Sequence, residues 1–144
     1  MGVDYSQFDE LRQELIRMAN QLENGAGLDK ALKEGAKPIY DDMKRRTKID
    51  PKERSGKLHK AIKKSGVKKR KDGGKRITIG VHRKEQSGGV YYSNPVEFGH
   101  GGPAPAPEHP FVRPAFDTQS KVAYTTMRDV MSKEIDTLFK GGKP

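Results

Sequence analysis

The 144 residues include no cysteine and no tryptophan, and only five tyrosines and five phenylalanines. Without cysteine there are no disulfides, no thiolate zinc sites and no cysteine nucleophile. Apolar residues make up 32% of the chain, well below the roughly 45–50% of an ordinary soluble domain. The mean hydropathy is −0.92. A chain of this length supports one domain, 1–144, with a thin core, and thin cores gain stability from partners. No window approaches the ~18 consecutive apolar residues of a membrane span. The opening MGVDYSQFDE is acidic and polar where a signal peptide needs a basic and then an apolar run, so neither secretion nor a membrane span is expected.

What the sequence has in excess is positive charge, and it is concentrated. Between Lys44 and Arg76 stand sixteen Lys or Arg against three acids, while the rest of the chain has thirteen basic and sixteen acidic residues. The protein reads as a mildly acidic body with a strongly basic arm. Such an arm can be a solvated face, a contact for an acidic protein surface, or a grip on nucleic acid, and charge alone does not choose.

Apolar spacing organises the remainder. Tyr5, Phe8, Leu11, Leu15, Met18 and Leu22 recur at three and four, which predicts a helix with one buried stripe, ended by Asn24, Gly25 and Gly27. A second stripe, Leu28, Ala31, Leu32, Gly35, Ala36, Ile39 and Met43, predicts a second helix, with a kink or break at Pro38. Ile77, Ile79 and Val81 then alternate with Arg76, Thr78 and Gly80, the period of a half-buried strand. Asp72-Gly73-Gly74 signals a turn, so residues 61–70 supply the partner and part of the basic arm is a hairpin. Residues 86–89 read as a loop and Val90–Phe98 as a further strand, bulged near Pro95.

Residues 100–110, with Pro103, Pro105, Pro107 and Pro110, predict an extended loop with few internal hydrogen bonds. Pro114 suits the first turn of a last helix whose stripe is Phe116, Ala123, Met127, Val130, Met131, Ile135 and Leu138, ended by Gly141-Gly142. The fold class is α+β: two N-terminal helices, a small antiparallel sheet with a long basic hairpin, and a C-terminal helix.

Enzyme signatures are missing from this order. Of the four histidines, His59, His82, His100 and His109, only the last two share a segment, and their spacing, even with Glu108, fits no metal-ligand pattern. Ser55, Ser65, Ser87, Ser93 and Ser120 lack a nucleophile-elbow context, and Gly73-Gly74-Lys75 falls short of a phosphate-binding loop. Neither a catalytic residue nor a cofactor or metal is expected.

Two segments go beyond generic packing. One is Arg54-Ser55-Gly56-Lys57-Leu58-His59-Lys60-Ala61-Ile62. The other is Tyr91-Tyr92, then Val96-Glu97-Phe98-Gly99, then His109-Pro110-Phe111-Val112-Arg113-Pro114-Ala115-Phe116. In order and spacing, over about residues 40–117, these resemble the neck and tail-completion family of long-tailed bacteriophages, of the lambdoid head-to-tail joining type. The sequence departs from that pattern at Arg54-Ser55, where an acidic residue before Thr is usual, at His100, and in a long loop before Pro110.

The resemblance implies a non-catalytic virion protein, made in the host cytoplasm. Roughly six or twelve copies would form a ring in the neck, between the head-side connector and the tail terminator or tube proteins and around the packaged DNA. The candidate assembly residues are Gly56, Leu58, Glu97, Phe98, Gly99, His100, Pro110, Phe111, Arg113 and Pro114. The glycines read as junctions needing a left-handed conformation or close approach, Phe98, Phe111 and Phe116 as core, and Glu97 with Arg113 as a pair that closes the Pro-rich loop. Lys63, Lys64, Lys68, Lys69, Arg70, Lys71, Lys75 and Arg76 are candidate contacts to DNA or an acidic partner. The alternative reading is a basic module that holds nucleic acid without reading its sequence.

Overall fold

A computed structural model describes residues 6–49, 56–82 and 92–141. Tyr5, Arg54-Ser55, the loop at 86–89, Tyr91 and Gly142 lie outside them. Helix α1 spans Ser6–Asn24 and α2 spans Ala26–Ile49, separated at Gly25. A short helix α3, Lys57–Ala61, leads into strands β1 (Ile62–Lys64), β2 (Lys68–Lys69), β3 (Lys75–Arg76) and β4 (Ile79–Val81). Helix α4, Ser93–Phe98, and the long helix α5, Val112–Phe139, complete an α+β fold.

The frame is an antiparallel pair of helices, α2 and α5. Gly27 faces Glu134, Gly35 faces Met127, and Asp42 accepts a hydrogen bond from Thr118 Oγ1 at 3.2 Å. Gly35 sets how closely they approach. A Cβ there would collide with the Met127 side chain and lie 3.1 Å from the Ala123 carbonyl oxygen, so a larger residue would force Met127 to repack or the helices to move apart. Helix α2 does not break at Pro38. The ring removes one ladder hydrogen bond, yet the packing of Ala31, Ala36 and Met43 on either side holds the helix through it.

The strands form one antiparallel ribbon in two registers. Ile62 pairs with Val81 and Lys64 with Ile79, whereas Lys68 pairs with Arg76 and Lys69 with Lys75. Gly66 and Val67 therefore oppose Ile77 alone, a β-bulge that changes the face presented by the outer half. Ser65 bridges the irregularity, its N–H donating to the Thr78 carbonyl at 2.8 Å while its Oγ accepts from the Thr78 N–H at 2.9 Å.

One small core sits where the segments meet. Met43, Leu58, Ala61, Ile62, Phe111 and Ala115 are buried together, with Ile39, Tyr40, Ile79, Val81, Tyr92 and Val96 packed around them. Thus the two motif segments, far apart in sequence, converge on each other and on the end of α2.

Several expectations are corrected. Residues 93–98 are helical, because Pro95 stands in a first turn, where its missing donor is harmless. Only part of the apolar stripe of α1 is covered: Leu11 is 55% and Leu15 50% exposed, while Met18 and Leu22 nearer its end are half-buried, since α1 meets α2 and α5 over only a small area. Phe98 and Phe116 are 63% and 58% exposed, so of the three candidate core phenylalanines only Phe111 is buried.

Candidate functional site

The most elaborate polar site lies where α4 hands over to α5. Helix α4 turns the Glu97 side chain inward, and only 4% of the residue is exposed. One carboxylate oxygen accepts the N–H groups of Phe111 (2.7 Å) and Val112 (2.9 Å), and the other accepts the Arg113 N–H (3.0 Å). The residue that follows is Pro114, which has no N–H. The four donors that a helix start leaves without intrahelical partners are thus all accounted for, three by one carboxylate and the fourth by its absence. The negative charge also lies against the positive end of the α5 dipole.

Arg113 completes the cluster. Its Nε donates to Glu97 Oε1 at 3.2 Å, and one terminal nitrogen donates to the Glu97 carbonyl at 3.0 Å and to Glu108 Oε2 at 2.9 Å. The guanidinium lies 5.0 Å from the centre of the Phe98 ring. Burial pushes the Glu97 carboxyl upward, but the N–H groups of Val112, Phe111 and Arg113, together with the guanidinium, outweigh it and hold the group below its ordinary value of 4.5. A carboxylate so stabilised in its charged form is badly placed for proton transfer near neutral pH.

The Pro-rich loop is fastened at its base. His100 and Ala106 exchange backbone hydrogen bonds of 3.0 and 2.9 Å, and the His109 N–H donates to the Val96 carbonyl at 2.7 Å. Gly99 permits this closure. Its φ is +69°, and a Cβ would lie 2.9 Å from both the Ala106 oxygen and the Glu108 nitrogen. Residues 101–105 then stand out from that base, all exposed.

A second charged cluster ties α2 to α5. Asp42, also buried, accepts from Arg45, from Arg46 Nε at 2.8 Å and from Thr118. Burial raises its carboxyl, yet the hydrogen bonds from Arg46, Arg45 and Thr118 and the charge of Arg46 leave it lower than its ordinary 3.8. Nearby, the His59 ring nitrogen Nδ1 lies 2.9 Å from the Lys44 carbonyl and 3.2 Å from Thr47 Oγ1, tying α3 to the end of α2.

The basic hairpin divides into committed and outward cations. Lys75 is fixed to the start of α2, donating to Asp29 at 2.7 Å and the Gly25 carbonyl at 3.3 Å. Lys64 reaches the Lys33 carbonyl at 3.4 Å and lies 5.8 Å from the Tyr40 ring centre. Lys63, Lys68, Lys69, Arg70, Lys71 and Arg76 are exposed, with Arg70 paired to Asp72. Lys68 faces Arg76, like charges directly across the ribbon and an unfavourable pairing that an anion would relieve, whereas Lys69 faces Lys75, whose charge Asp29 already answers.

Of the other candidates, Gly56 has φ +65° as the residue before α3, Leu58 and Phe111 are core, Pro110 and Pro114 are half-buried, and Phe98 and His100 face solvent. The pairing of Glu97 with Arg113 matches expectation. The roles of Asp42 and of Lys75 with Asp29 were not legible, since each depends on a partner in another element. Gly35 carried a signal, a glycine on an apolar stripe. Among the described residues no group of three or more metal-ligating side chains is gathered, and no helix is long and apolar enough to cross a membrane.

Compared with known proteins, residues 9–99 match the family described as bacteriophage HK97-gp10, a tail component. The matched span ends on the Glu97-Phe98-Gly99 run. No curated protein and no solved structure matches.

Proposed function

The chain belongs to the HK97-gp10-like family of bacteriophage tail components, and from that footing we propose that it is a non-catalytic subunit of a ring in the phage neck. Several copies surround the DNA channel and join the filled head to the tail, meeting the head-side connector on one side and tail proteins on the other. One observation carries the reading beyond the family. The Glu97 cluster is a rigid base from which Phe98 and loop 101–105 project outward, the arrangement a docking arm needs. The thin core agrees with it, because ring interfaces supply the apolar burial that a single copy lacks.

Deleting the coding segment from the parent phage tests the proposal. The expected lysate contains separate DNA-filled heads and tails, visible by electron microscopy, which join when the purified protein is added. Normal virions without the protein would refute the structural role. Replacing residues 101–105 by a Gly-Ser loop of equal length should abolish joining while helical content is retained.

A second reading, a module that holds nucleic acid through its hairpin, is favoured by the like-charge pair of Lys68 with Arg76 across β2 and β3. It overlaps with the first, since DNA threads a neck channel.

A further inference from the structure

Two apolar surfaces are uncovered, and they match in polarity and charge. The first is on α1. Leu11, Leu15 and Ile16 are each about half exposed, and together with Arg12 and Ala19 they wall a shallow hollow to which no other described element contributes. Four acidic residues and two basic ones flank this stripe along the helix. The second is a groove of about 380 Å³ between α2, α5 and the inner end of the ribbon. Leu32, Ile39, Ile77, Val112, Phe116 and Met127 are among its walls, and none of its lining residues comes from α1. Arg76 borders it, so the outward half of the hairpin, with six basic residues and one acidic residue from Lys68 to Arg76, rises from its edge.

We propose that α1 of one copy lies in this groove on the next copy, Leu11 and Leu15 against the apolar walls and the acidic residues Asp9, Glu10 and Glu14 toward that copy's hairpin. The inference rests on the ring reading and gives it an interface. DNA would neutralise the hairpin and leave both apolar surfaces wet. A helix that is apolar on one side and net acidic on the other satisfies all three features at once, and α1 is such a helix. Every copy offers one α1 and one groove, so the contact is head-to-tail and propagates until the rotation closes a ring. It also places an anionic neighbour beside the opposed pair Lys68 with Arg76.

The absence of cysteine in the full chain makes the test clean. Two single variants, Leu15→Cys and Phe116→Cys, both at exposed positions, are mixed and treated with a short bis-maleimide. This is done at high concentration in solution and again in the mixture that joins heads to tails. With one cysteine per chain, no link can form within a copy.

Mixed pairs should exceed like pairs by at least about tenfold, because only a head-to-tail contact brings the two sites together. Adding Leu11→Glu to both should cut the mixed product about 30-fold, the loss typical of a buried interface anchor, with helical content unchanged. Like pairs matching mixed pairs, a mixed product indifferent to Leu11→Glu, or no mixed product in either setting would overturn the proposal. If wild-type protein still restores joining in that last case, the ring reading stands with another interface. If duplex DNA then binds the hairpin, that surface belongs to nucleic acid.

Discussion

Glu97 shows how much one side chain can organise. Its carboxylate takes the place of an N-cap, but it arrives from another helix and serves three consecutive N–H groups instead of one. Replacing it with Ala leaves these three donors unanswered in a partly buried site and takes one partner from Arg113, which keeps Glu108 and the backbone carbonyl of residue 97. Glu97→Ala should therefore cost about 3 kcal/mol, and Glu97→Gln, which keeps an acceptor without the charge, about 1–2 kcal/mol, read from urea denaturation.

The pH dependence has a definite sign. The folded carboxyl is harder to protonate than the unfolded one, so the unfolded chain takes up its proton first as the medium acidifies. The stability from Glu97 is complete above its ordinary 4.5, and is lost as pH falls through the lower folded value. Asp42 behaves alike below 3.8. Melting temperatures recorded from pH 7 to pH 3 should fall steeply in the acid limb for the wild type, and less steeply for Glu97→Gln.

At the scale of elements, periodicity reported the long helices and the inner strand pair well, and reported local exceptions poorly. Alternation at Ile77, Ile79 and Val81 placed the ribbon, but the bulge at Gly66 and Val67 comes from pairing, which no single strand displays. The strand reading of residues 90–98 rested mainly on Val90, Tyr91 and Tyr92, which precede the helix, whereas within 93–98 only Val96 and Phe98 have strand character and Pro95 suits a first helical turn.

Pro38 and Gly35 make opposite predictions within α2. The helix already runs through Pro38, so Pro38→Ala restores a backbone donor and should stabilise the chain by about 1–3 kcal/mol in thermal unfolding. Gly35→Val inserts side-chain atoms where a single Cβ already collides with Met127. It should destabilise by about 2–4 kcal/mol as α2 and α5 separate, and an unchanged melting temperature would refute the close approach.

For the whole molecule, the question is what the uncompensated charge and the uncovered apolar surfaces are for. If the hairpin holds DNA, Lys68, Lys69, Arg70, Lys71 and Arg76 are the exposed cations of its outer half, Arg70 once it parts from Asp72, while Lys75 and Lys64 are engaged elsewhere and Lys63 stands on the inner strand β1. About five phosphate contacts would lower affinity several hundred-fold between roughly 50 and 200 mM salt. Titration of a labelled duplex checks this by fluorescence anisotropy, and weak binding with a shallow salt slope assigns the arm to protein contacts. Aromatic stacking on single strands plays no part, since the segment from Lys44 to Arg76 has no Phe, Tyr or Trp.

The sequence by itself determined the α+β order, the concentration of charge, the thin core and the pairing of Glu97 with Arg113. These follow from local periods, from composition, and from two opposite charges flanking one loop. Tertiary structure alone decided that Leu58 and Phe111 share a core, that α1 keeps Leu11 and Leu15 outward, that Phe98 and Phe116 face solvent, and that Lys75 is engaged by Asp29. The physical reason is that apolar spacing says which side of a helix wants cover, and only the packed chain says whether any of its own surface is there to provide it.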